Sequence, residues 1–353
     1  MAIWAHTIFL IGATAVMLDT GQAPPKAVKC EPPGMVDTER IGALLAQRGV
    51  AIGADFKALI VEIEEHEVCG TVYHYYDHNG TSAERDGWWP ASAVKLLAAV
   101  AALERLSGWG FGPTATVTFH YREKDLGDVT LSVEDLVRAA LIPSDNTAYD
   151  RLVEIAGYEW LNEVFLSDAY GLGASVLQRG YGGRHRYADS NRGSLQNAPR
   201  ITLTEGTRTA ELPASQSRKS YRCPEQGNCV PLRDLAECLR KVMLHEKLPD
   251  GERFKLDSKH LALLRGALGA PRDRGLGVVN GLEKAFGAER LVLHHKAGFA
   301  LQWFCDNVFV QDTLTGRKWL VAMANRPGRE ALDEISGHIG LILRDDLLKQ
   351  KEP

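Results

Sequence analysis

A chain of 353 residues, 45% of them hydrophobic, is long enough to bury one large core or two moderate ones. A formal net charge of -4, with no long run of like charge, excludes a polyanion such as nucleic acid as the main partner. Seven Trp, ten Tyr and ten Phe exclude a disordered chain.

Residues 8–18 (IFLIGATAVML) are apolar and are followed by small residues up to Ala23. The stretch is shorter than the roughly 20 residues of a membrane span. It predicts a secretory signal over 1–23, cut after Ala23, although His6 and no Lys or Arg precedes it. An uncleaved anchor or a buried apolar helix is the alternative. Export to the periplasm or the medium follows from the signal reading. Residues 24–35 are a Pro-rich linker, and 36–345 form the catalytic domain. Lys29 puts a charge beside Cys30 and argues against lipid attachment there.

Residues 38–48 predict an amphipathic helix, 58–68 a strand and 70–76 its hairpin partner. Residues 92–106 are apolar nearly all round, which predicts a buried helix. Another helix is expected over 132–140, with Glu134 and Asp135 in its first turn, and helical structure continues over 147–156 and 159–166. Residues 178–228 are polar, rich in Gly, Arg, Ser and Asn, and read as a long functional loop or insertion. Helices resume at 232–244 and 258–268, strands at 291–295, 306–311 and 319–324, and a closing helix covers 330–348. Strands near both ends with helices between predict an α/β (α+β) fold. Its antiparallel sheet is built from both termini, about 36–90 and 255–345. An all-helical region over about 91–254 is inserted, with the active-site loop at 178–230.

Six Cys in an exported chain allow disulfides, and Cys223 with Cys229, bracketing the short loop PEQGN, are the first choice. Zinc spacing is absent, and His294 and His295 point to opposite faces of a strand, so no metal and no cofactor is expected.

Three short patterns carry chemistry. Ser92 and Lys95 are three residues apart at the start of a helix and so share a face. A Lys in apolar surroundings loses its charge more readily, which suits it to take a proton from the Ser hydroxyl. Ser144-Asp145-Asn146 lies between two helices, where a polar triplet is ordinarily a cap and turn. Lys296-Ala297-Gly298 lies on a strand, where Gly298 admits close approach of another backbone.

The order Ser-x-x-Lys, Ser-Asp-Asn, Lys-x-Gly resembles the class A β-lactamases and the penicillin-binding DD-peptidases. Residues 128–148 and 231–243 extend the likeness, which covers roughly 36–345. The resemblance implies that Ser92 attacks a carbonyl, Lys95 assists and Ser144 passes a proton. Asn146 holds the substrate and Lys95, Lys296 supports Ser144 and a substrate carboxylate beside Gly298, and the backbone N–H groups of Ser92 and Phe299 form the oxyanion hole. It implies a small-molecule β-lactam or peptidoglycan peptide as substrate, with no stable protein partner.

Three departures stand out. The resembled family carries a Glu-x-x-Leu-Asn pattern in its active-site loop, absent from 178–228, where Leu195-Gln196-Asn197 is a faint echo. Glu205 and Glu211 are the candidate deacylation bases there, against a bland reading as surface carboxylates. Ala297 replaces a hydroxyl residue. No Arg follows on the next strand, and Arg290 and Arg317 are the nearest in sequence. The expected activity is therefore class A-like β-lactam hydrolysis with an atypical deacylating loop. The alternatives are a DD-peptidase and a non-hydrolysing penicillin-binding sensor. Trp88, Trp89 and Trp303 read as packing, His185 as solvated, and the Gly-rich residues 275–281 lack the context of a phosphate loop.

Overall fold

The computed structural model describes residues 36–349 except 68, 123–126, 183–196, 218, 220, 222, 225, 226, 272–276 and 327. The signal, the linker, Cys30, His185, Leu195 and Gln196 lie outside the described residues.

In chain order the elements are α1 (Arg40–Gln47), β1 (Lys57–His66), β2 (Gly70–Asp77), a 3₁₀ turn (Ala91–Val94) and α2 (Lys95–Gly108). Next come β3 (Thr116–His120), β4 (Asp128–Ser132), α3 (Val133–Leu141), α4 (Asn146–Ala156) and α5 (Tyr158–Trp160), which runs into a π-turn (Leu161–Phe165). Then follow β5 (Asn197–Ala198), β6 (Arg200–Glu205), β7 (Arg208–Leu212), β8 (Ser215–Gln216), α6 (Leu232–Met243), α7 (Ser258–Leu268) and α8 (Val278–Phe286). The chain closes with β9 (Leu291–Ala300), β10 (Trp303–Asp312), β11 (Lys318–Asn325) and α9 (Arg329–Arg344).

The main sheet is antiparallel in the order β2-β1-β11-β10-β9, so strands from both ends of the chain form it, as expected. Side chains alternate between its faces. Ala58, Ile60, Phe304, Val308, Trp319 and Val321 pack with α1, α8 and α9. Leu59, Val61, Cys305, Phe309 and Leu320 pack with the helical region. Helix α2 is buried from Lys95 to Leu103 and forms the axis of that region. Its alanines leave room for α4 to lie close. Ser132 caps α3 by accepting from the Asp135 N–H at 3.0 Å.

Two expectations need correction. Residues 178–228 are not one loop, and the inserted region is not all-helical. β6 and β7 form a hairpin that joins β3 and β4 in a second antiparallel sheet, order β4-β3-β6-β7. The inward residues Ile201 and Leu203 are buried and alternate with Thr202 and Thr204. The polar outer face masked this period-2 signal. α8 carries no sequence expectation, because Gly281 sits inside it. A Cβ at Gly281 would lie 2.0 Å from Ser336 Oγ and 2.3 Å from the Asp333 carbonyl oxygen. The glycine is there because α8 and α9 touch backbone to backbone.

Candidate active site

The site forms where the edge strand β9 meets the 3₁₀ turn and the start of α2. Trp88 packs edge-on against Trp303, ring centroids 6.3 Å apart, and fixes the chain ahead of the turn. The Pro90 carbonyl accepts from the Ala93 N–H at 3.0 Å and from the Cys305 thiol at 3.3 Å. Ala91 has φ 44, a left-handed conformation that a residue with a Cβ adopts under constraint. Ser92 follows, half-buried. In a 3₁₀ turn residues i and i+3 eclipse, so Ser92 and Lys95 emerge on one side.

Lys95 is completely buried. Its ammonium donates to the Ser144 carbonyl, to Ser144 Oγ at 3.1 Å and to Asn146 Oδ1 at 2.7 Å, which uses all three N–H donors. Burial lowers its pKa to about 8, against the opposing pull of Asp145 and Asp150.

The triplet does divide as a cap and as chemistry. Asp145 caps α4 by accepting from the Ala148 N–H at 2.6 Å. Ser144, at φ 63, turns back toward Lys95. Lys296 reaches over from β9 and donates to Ser144 Oγ at 2.8 Å. With both lone pairs of that hydroxyl taken by ammonium groups, its own hydrogen points away from them. Gly298 lies two residues on, on the same face of β9. A Cβ there would fall 2.2 Å from the Pro90 carbonyl oxygen and 3.0 Å from the Ser92 nitrogen, so only glycine lets the strand close on the turn. Phe299 follows directly, its side chain 60% exposed. The structure thus brings Ser92, Lys95, Ser144, Asn146, Lys296, Gly298 and Phe299 together.

Glu205 and Glu211 are not there. Glu205 accepts from the Gly112 N–H, from Thr114 Oγ1 at 2.6 Å and from Arg208 at 2.9 Å in the second sheet. Glu211 is exposed and pairs with Arg200 at 2.9 Å. Pairing of β6 with β3 and of β7 with β6 holds both on that sheet. Arg290 is bound to Asp312 through two 2.6 Å bonds, and Arg317 to Glu62 at 2.9 Å and to Asp346, so neither serves the site. His295 pairs with Asp306 at 3.0 Å and His294 lies edge-on to Phe309. Among the described residues no three His, Cys, Asp or Glu side chains cluster as a metal site.

Three floor residues escaped the sequence reading. Asp150 accepts from the Tyr181 and Gly182 N–H groups, each at 2.7 Å. Tyr181 Oη donates to the Ala91 carbonyl at 3.1 Å, and Asn228 Nδ2 donates to Tyr181 Oη at 2.9 Å. Cys229, next to Asn228, is disulfide-bonded to Cys223 as expected. Asp150 had one available signal, its place one helical turn after Asn146 on the same face.

A family model described as the β-lactamase enzyme family matches residues 55–347. The chain belongs to the β-lactamase enzyme family. No curated protein matches it. Among solved structures it is similar to PBP-A, with TM-score 0.54, 16% identity, and coverage of 89% of this chain and 99% of that one. A β-lactamase from Sphaerobacter thermophilus gives 0.53 at 18% identity over 90% and 100%. One from Desulfarculus baarsii gives 0.53 at 15% over 88% and 97%. At such identities these likenesses speak for the β-lactamase fold alone.

Proposed function

We propose that the protein is a serine hydrolase that forms an acyl-enzyme on Ser92 with a β-lactam or a D-Ala-type peptide amide, and that it releases a β-lactam acyl group slowly. The observation that carries this is the hydroxyl of Ser144 held between Lys95 and Lys296, with Lys95 near pH 8 in its titration.

Neutral Lys95 takes the proton of Ser92 as Oγ bonds to the substrate carbonyl carbon. The N–H groups of Ser92 and Phe299 receive the oxyanion. The C–N bond then breaks, and the departing nitrogen takes the Ser144 hydroxyl proton, which the Lys95 ammonium replaces. Lys296 and Asn146 hold the substrate's polar groups. Release needs a base for water. Both oxygens of Asp150 are engaged by backbone N–H groups, and Glu205 and Glu211 face the second sheet. None of these three described carboxylates is placed as that base, which supports a persistent adduct. A variant of PBP-A has itself been obtained as an acyl-enzyme with penicillin G. The family match favours a second reading, rapid β-lactam hydrolysis. Export is part of the proposal, supported by the Cys223–Cys229 bond, since disulfides persist in oxidising compartments.

The test is intact mass after benzylpenicillin, together with nitrocefin turnover. A stable adduct that is lost in Ser92→Ala is the expected result. Rapid turnover by the wild type, also lost in Ser92→Ala, selects the hydrolytic reading. Folded protein that neither forms an adduct nor turns over nitrocefin overturns both.

A further inference from the structure

We infer that Tyr181 is a positioning residue for the nucleophile: its phenol holds the Ala91 carbonyl and thereby fixes the turn that presents Ser92. The inference rests on the acylation reading above.

The hydrogen-bond directions are determined. Asn228 Oδ1 accepts from the N–H groups of Gln178 and Arg179, each at 2.8 Å. Its Nδ2 therefore faces Tyr181 and is a donor. The phenol oxygen accepts that bond, so its hydrogen is free to go to Ala91, whose carbonyl oxygen can only accept. Burial pushes the phenol's pKa up, so the group stays a donor at every working pH.

The turn needs this third hold. Ala91 is in the left-handed region although it carries a Cβ. β9 presses on the turn through Gly298, and β10 through the Cys305 thiol on Pro90. Tyr181 holds it from a third segment, through the Ala91 carbonyl. The tyrosine is itself anchored, its ring stacked on Tyr149 at 4.9 Å and its N–H on Asp150 at 2.7 Å. It also lies with its ring centroid 6.0 Å from Lys95 Nζ. One side chain therefore holds the turn that carries Ser92 and lies beside its lysine.

Tyr181→Phe tests this, because it keeps the ring and removes only the hydroxyl. Asn228 Nδ2 retains Tyr149 Oη at 3.2 Å and the Arg179 carbonyl at 3.3 Å as acceptors, so the variant is expected to fold. Acylation by a fluorescent penicillin is followed at rising concentration for wild type and variant. The expected result is a maximal acylation rate lower by about tenfold, the scale of one hydrogen bond. The half-saturating concentration and the pH midpoint of the rate stay at wild-type values, and the thermal midpoint falls by no more than the loss of one hydrogen bond allows. The pH midpoint belongs to Lys95, which is faced by Asp145, Asp150 and Lys296 and keeps all of them. An unchanged maximal rate overturns the inference and leaves the acylation reading standing. An effect confined to a raised half-saturating concentration, or a rate loss accounted for by unfolded variant at the assay temperature, also overturns it, since the tyrosine then only supports the fold. Failure of the wild type to be labelled overturns the acylation reading itself.

Discussion

Lys95 shows how burial decides chemistry at the scale of one residue. An exposed lysine stays protonated through the physiological range and cannot take a proton from serine. Here desolvation brings the group to about 8. The sign follows directly. The neutral amine is the active form, so acylation rises with pH, about tenfold per unit below the midpoint, and levels above it. Acylation rates from pH 6 to 10 check this, and a flat profile would remove Lys95 from the role of base. Lys95→Arg is expected to lower the rate by about 10²–10⁴-fold, because a guanidinium stays charged. Sequence spacing could pair Ser92 with Lys95. Lys296 entered only through the order of the motifs, and its bond to Ser144 Oγ spans 152 residues that no local spacing relates.

At the scale of elements, β9 carries two kinds of information in alternate residues. Lys296 and Gly298 face the nucleophile turn, while Ala297 packs toward α8 and α9. The departure at Ala297 is thus a packed methyl. α8 and α9 make the complementary point. By helix propensity alone, Gly281→Ala should stabilise by about 1 kcal/mol. The 2.0 Å approach to Ser336 Oγ predicts the opposite. Overpacking by about 1–3 kcal/mol wins, giving net destabilisation in urea unfolding. Acylation per folded molecule is expected to be unchanged. The long apolar helix α2 and the strands β1, β10 and β11 were legible because they are buried over most of their length. β3, β4, β6 and β7 were not, because one face of each is polar and their inward residues are few.

For the whole molecule, the second sheet decides what two acidic residues can do. A sequence places Glu205 and Glu211 in the stretch where a deacylation base belongs. Register with β3 sets Glu205 against Gly112 and Thr114 instead. Glu205→Gln and Glu211→Gln are therefore expected to leave both the acylation rate and the adduct lifetime unchanged. A changed lifetime in either, followed by intact mass, would return that carboxylate to the reaction. The sequence by itself determined the three motifs, their order and the sheet built from both ends, because these follow from local periodicity and residue chemistry. Tertiary structure decided how these parts meet. The lowered pKa of Lys95, the bridging of Ser144 by two lysines, the closure of Gly298 on the Ser92 turn and the grip of Tyr181 on Ala91 all depend on burial and on contacts between distant segments. Such contacts leave no pattern along the chain.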